Sequence, residues 1–85
     1  MDIVKGVVVK AVAGRDSGRY FIVVDYEDNF VWISDGKTRK LESPKKKKIK
    51  HLHFTDTVAE IDKITNRKLK VYLDSFYCPE IESEV

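Results

Sequence analysis

Three groups of residues in this 85-residue chain have types that could do chemistry. Gly36-Lys37-Thr38 has the ending of a phosphate-binding loop, where backbone amides cradle phosphates and a lysine neutralises them. The full pattern places a glycine five positions before the last one, and this chain has Val31 there. Gly14-Arg15-Asp16-Ser17-Gly18 sets a serine between glycines, but one position off the spacing of a nucleophile elbow. Asp16 is more simply a turn residue than a catalytic acid. His51, His53 and Cys78 could ligate a metal, yet a closed zinc site takes four ligands, with CxxC or HxxxH pairs that this chain lacks. Nothing assembles a nucleophile, a base and an oxyanion donor. The expectation is a protein that is not an enzyme, with no catalytic residues, no metal site and no cofactor.

What remains is charge. The formal net charge is only +2, but it averages two unlike parts. Residues 1–55 carry 12 Lys/Arg against 7 Asp/Glu, and residues 56–85 carry 4 against 7. Lys37, Arg39, Lys40, Lys45, Lys46, Lys47, Lys48 and Lys50 are opposed only by Glu42, giving +7 over fourteen residues. Such a block seeks a polyanion, and nucleic acid is the commonest one in a cytosol. The competing reading is a solvated, solubilising run.

The elements that must carry these residues read as mainly β. Residues 3–12 are rich in valine and form a strand interrupted at Gly6. Residues 13–18 are a turn-rich loop. Strands follow at 19–26 and 30–34, joined by the polar residues 27–29. Asp35-Gly36 is the strongest hairpin signal; it leads into a fourth strand at 37–41 that ends before Pro44. A fifth strand at 50–54 would point Leu52 and Phe54 inward and leave His51 and His53 outside. Leu69, Tyr72, Leu73, Phe76 and Tyr77 then share one helical face, with Thr65 or Asn66 as the N-cap and Pro79 as the stop. A shorter helical turn is expected at 58–64. The predicted organisation is a small barrel of about five strands over residues 1–55, with a helical, acidic extension at 56–85 packing on it as one domain. No apolar run approaches the roughly 18 residues of a membrane span. Asp2 stands where a secretory signal would be basic. A lone cysteine fits a reducing cytosol. The expected location is the cytoplasm.

The stretch from Lys5 to Asp25 resembles a KOW motif, the β-hairpin unit of many ribosomal and transcription-elongation proteins. The likeness rests on Gly6-Val7-Val8, the loop Ala13 to Gly18, and Phe21-Ile22-Val23-Val24-Asp25. Gly14 matches the signature glycine of that family. Asp35-Gly36, Arg39-Lys40, Ser43-Pro44 and the run to His51-Leu52 extend the likeness, most closely to stand-alone bacterial KOW-domain RNA-binding proteins. It covers roughly residues 4–54. The resemblance implies an SH3-like barrel that binds structured RNA, ribosomal RNA above all, with a ribosome- or translation-related role. No membrane partner is expected, and the sequence leaves the oligomeric state open, with a monomer favoured.

On that reading Lys10, Arg15 and Arg19 contact phosphates around the first hairpin loop, while Gly14 and Ser17 let the loop backbone approach. Lys37, Arg39 and Lys40 continue the surface, and Lys45, Lys46, Lys47, Lys48 and Lys50 complete it. Lys45–Lys48 are expected to be mobile until RNA orders them. Trp32, Phe30 and Tyr26 raise the option of base stacking, but Trp32 sits between Val31 and Ile33 and core packing suits it equally, so it stays outside the predicted site. The rival is a protein-interaction module of the same barrel type that docks on ribosomal or transcription proteins.

Overall fold

Runs of consecutive apolar residues in the first 34 positions build three neighbouring strands, and later segments among the described residues add to both sides of them. In a computed structural model that describes residues 3–76, the strands are β1 (Val7–Ala11), β2 (Tyr20–Glu27), β3 (Phe30–Ser34), β4 (Lys45–Lys48) and β5 (Leu52–Val58). A 3-10 turn, Ile49–His51, links β4 to β5, and one helix, α1 (Asn66–Asp74), follows. The strands form one antiparallel sheet in the order β4-β3-β2-β1-β5.

Because successive side chains in a strand point to opposite faces, this sheet supports two cores. Val7, Val9 and Ala11 of β1, Phe21 and Val23 of β2, Val31 and Ile33 of β3, and Leu52 of β5 form the first cluster. Phe54 packs against it, so β5 points Leu52 and Phe54 inward as the sequence indicates. His53 is exposed, whereas His51 is half-buried in the 3-10 turn. The opposite face supplies Val8 and Ile22, which meet Leu69 and Leu73 of α1 and Ala59. Burying leucines of this kind contributes about 1.5–3 kcal/mol each, a large share for a chain of this size.

α1 follows its sequence signals. Thr65 is the N-cap, its hydroxyl accepting the Lys68 amide at 3.2 Å. Leu69, Tyr72, Leu73 and Phe76 share the face turned to the sheet, and Phe76 sits 5.2 Å from the Tyr20 ring and 5.5 Å from that of Tyr72. Tyr77, Cys78 and Pro79 lie outside the described residues.

Three local expectations are corrected. The segment 37–41 is not a strand. The Asp35 carboxylate accepts the amides of Lys37 (2.9 Å) and Arg39 (2.8 Å), donors that a strand ladder would need, and winds the chain into a tight loop. Gly36 is therefore not the corner of a hairpin. It has φ +77°, and a methyl there would land on the Asn66 carbonyl oxygen, so it is where the loop touches the start of α1. The fourth strand is instead the lysine run. Lys45–Lys48 are not a mobile segment but β4, paired with β3 from Ile33↔Lys45 to Phe30↔Lys48. Finally, 58–64 is not helical. β5 runs past residue 55 to Val58, the Ala59 amide donates to the Gly6 carbonyl at 2.7 Å, and Lys63 has φ +67°, outside the helical region. Ile61 and Ile64 still pack on the second core, but from a turn.

Candidate nucleic-acid interface

A run of four lysines in one strand would repel itself if all four ammonium groups shared a surface. The two-residue period of the strand separates them. Lys45 and Lys47 lie opposite Ile33 and Val31, on the side of the first core, while Lys46 and Lys48 lie opposite Trp32 and Phe30, on the outer side. Burial alternates accordingly, half-buried and exposed.

The inward pair is neutralised by Asp16. This residue is only 7% exposed. Its Oδ2 accepts from Lys45 Nζ at 3.0 Å and lies 4.0 Å from Lys47 Nζ, and Arg19 Nη1 is 3.9 Å from Oδ1. Burial pushes the Asp16 carboxyl up, but the hydrogen bond and charge of Lys45, then the charges of Lys47 and Arg39, outweigh it and hold it below its ordinary value. Lys47 also donates to the Ala13 carbonyl at 3.4 Å, beside Gly14. These contacts fasten the loop between β1 and β2 onto β4, across 29 positions of sequence. The loop is internally fixed as well: the Gly18 amide donates to Ala11 at 2.7 Å and the Ser17 amide to Gly14 at 3.2 Å.

A second acid anchors the neighbouring loop. Asp35 Oδ2 accepts from Thr38 Oγ1 at 2.8 Å and from Arg19 Nη2 at 3.3 Å, and Arg19 also donates to Thr38 at 3.1 Å. Burial again raises the carboxyl, and the backbone amides of Arg39 and Lys37, the Thr38 hydroxyl and the Arg19 charge bring it below its ordinary value. Arg19 thus spans two acids and joins the two loops. Asn66 ties the second loop to the helix, accepting the Leu41 amide at 2.7 Å and donating to Glu42 at 2.9 Å.

The predicted cations therefore divide. Arg15, with Gly14 and Ser17, is exposed on the first loop. Lys37 and Lys40 are exposed and Arg39 is half-buried on the second. Lys45, Lys47 and Arg19 are engaged with the two acids beneath these loops. Lys46, Lys48 and Lys50 face outward at the β4 edge. Lys10 stands apart on β1, its ammonium 5.6 Å from the Tyr20 ring centroid. Lys46 Nζ lies over Phe30 at 4.3 Å and Trp32 at 5.6 Å. No protein-family model and no curated protein matches this chain. The site is read from its own geometry.

Asp16 and Asp35 are the residues that sequence reading undervalued. Each looks like turn punctuation, and each proves to be a buried anion with cationic partners. The signal that was available is a count: the basic segment holds eight cations and only Glu42, so any of them that became buried needed acids from elsewhere in the chain. Among the described residues, no group of three His, Cys, Asp or Glu could hold a metal ion, and no helix is long and apolar enough to cross a membrane.

Proposed function

We propose that this protein binds structured RNA, ribosomal RNA being the expected target, in the cytoplasm and in a ribosome- or translation-related role. The five-stranded sheet is read as an SH3-like barrel of the KOW type. The observation that carries the reading is the Lys45–Asp16 contact at 3.0 Å. It brings the glycine-bearing first loop and the basic segment, remote in sequence, into one surface. Arg15 at the loop, Lys37 and Lys40 beside it, and Lys46, Lys48 and Lys50 along the β4 edge are the phosphate ligands. Gly14 and Ser17 allow close backbone approach. Lys45, Lys47 and Arg19 hold the loops in place, and Lys10 is a peripheral contributor. Folded RNA offers a protein mainly phosphates, 2′-hydroxyls and shape, which suits lysine and arginine better than a base-reading helix.

Titration of a folded RNA at increasing salt tests this. Neutralising about five phosphates gives a slope of log affinity against log salt near −3.5 to −4.5, and Arg15→Ala weakens binding with the circular dichroism unchanged. A slope near zero would sink the reading and favour the protein-docking alternative.

A further inference from the structure

The outer face of the sheet is covered unevenly. α1 packs over Val8 and Ile22, which leaves the far end of β3 and β4 uncovered by it. There, Phe30 and Trp32 stand on the outer face, opposite Lys48 and Lys46. The β2–β3 turn, with Asp28 at φ +47°, closes against the chain beyond β4 through the Ile49 amide and the Asn29 carbonyl at 3.0 Å. Beside that junction lies an open groove of about 490 Å³, lined by Asn29, Phe30, Lys48, Ile49 and Lys50. That is within the 300–1,000 Å³ typical of small-ligand sites.

The groove has an aromatic side chain, an aliphatic one and two lysines in its lining, and outside that lining an acid, Glu27 of β2, is the register partner of Phe30. An unpaired nucleotide has the matching division: a flat base, and a phosphate that must avoid carboxylates. The half-buried Phe30 ring belongs to neither core cluster and engages a cation, Lys46 at 4.3 Å, a contact that a stacking base would exchange for its own.

We propose that this groove takes one unpaired nucleotide of the bound RNA, its base stacked on Phe30 and its flanking phosphates held by Lys48 and Lys50. This rests on the RNA-binding reading and adds to it a preference for RNA with a bulged or flipped-out nucleotide. Glu27 on the β2 side directs the phosphates toward β4. Stacking tolerates any base, so the preference is for an unpaired position and not for a sequence.

The test compares a fully paired RNA hairpin with the same hairpin carrying one bulged nucleotide, binding to the intact chain and to Phe30→Leu. Leucine keeps an apolar side chain but removes the ring, and circular dichroism checks that the variant folds. Wild type should bind the bulged RNA about 5- to 150-fold more tightly, the weight of one base–aromatic stack. Phe30→Leu should lose that preference and keep its affinity for the paired hairpin. The single tryptophan, Trp32, two residues away on the same strand face, should be quenched by the bulged RNA only. Equal affinity of wild type for both hairpins, or a preference that survives Phe30→Leu, overturns the nucleotide site alone. Failure of both hairpins to bind overturns the RNA-binding reading and the site with it. If Phe30→Leu does not fold, Phe30→Met, which also keeps an apolar side chain without a ring, replaces it, and a bulge preference that survives in that variant overturns the proposal equally.

Discussion

Asp16→Asn removes one negative charge from beneath the first loop while keeping the side chain's size and an acceptor oxygen. The Asp16 side chain is 10% exposed and so is that of Lys47, while Lys45 and Arg19 are 31% and 38% exposed. A fully exposed ion pair is worth about 0–1 kcal/mol, and breaking a buried one by removing one partner costs about 3–5 kcal/mol. Lys45 and Arg19 can turn to solvent, but Lys47 is left nearly buried with only the Ala13 carbonyl to accept from it. The expected loss therefore falls between those limits, at about 2–3 kcal/mol. For a chain with roughly 4–13 kcal/mol of total stability, that should lower the melting temperature by roughly 10–20 °C. Urea unfolding at pH 7 measures it. Adding Lys47→Met should recover most of the loss, because a buried neutral side chain replaces an unpaired ammonium. Acid supplies a second check. The folded-state carboxyl of Asp16 lies below its ordinary value of 3.8, so its contribution is complete above that pH and is lost as pH falls through the lower, folded value. The gap between wild type and Asp16→Asn should be full at pH 5 to 7 and close below about pH 3.8. A variant as stable as wild type at pH 7, or a gap that ignores pH, would refute the view that this acid fastens the loop to β4.

Two further outcomes follow from the same geometry. Lys46→Gln with Lys48→Gln should leave stability within about 0.5 kcal/mol and reduce the salt slope of RNA binding by about 1.4–1.8; the pair Lys45→Gln with Lys47→Gln should instead destabilise the fold, because it strands Asp16, and equal stability of the two double variants would contradict the in-and-out division of β4. Gly36→Ala should cost about 2–4 kcal/mol, combining a left-handed φ with a collision at the Asn66 carbonyl, whereas Gly18→Ala, at φ +91° with open space around it, should cost only about 1–2 kcal/mol; thermal melts of the two read the difference.

The lysine run also has a structural role that its charge conceals. β4 is an edge strand of the sheet, and exposed edges invite pairing with other chains. Lysines are among the residues that discourage it. Charge that protects an edge and charge that binds phosphate are compatible on Lys46 and Lys48, which is why separating them needs the salt slope as well as solubility.

Local pattern was enough to determine the mainly β character, the strands around Val8, Ile22 and Ile33, the inward side of β5, and the amphipathic helix with its Thr65 cap. Each of those depends on side-chain period or on a cap within a few residues, and both are written in neighbouring positions. Pattern also located the excess of positive charge. It did not decide which segment becomes the fourth strand, because Asp35 competes for the amides of 37–39 and wins, while four lysines, poor strand formers by type, pair with β3 only once Asp16 neutralises the two that point inward. That carboxylate arrives from 29 positions away, so no window along the chain contains the reason. The half-buried aromatic pair Phe30 and Trp32 belongs to the same class. Strand alternation puts them on one side, but only the placement of α1 over Val8 and Ile22 determines that this pair is not beneath the helix.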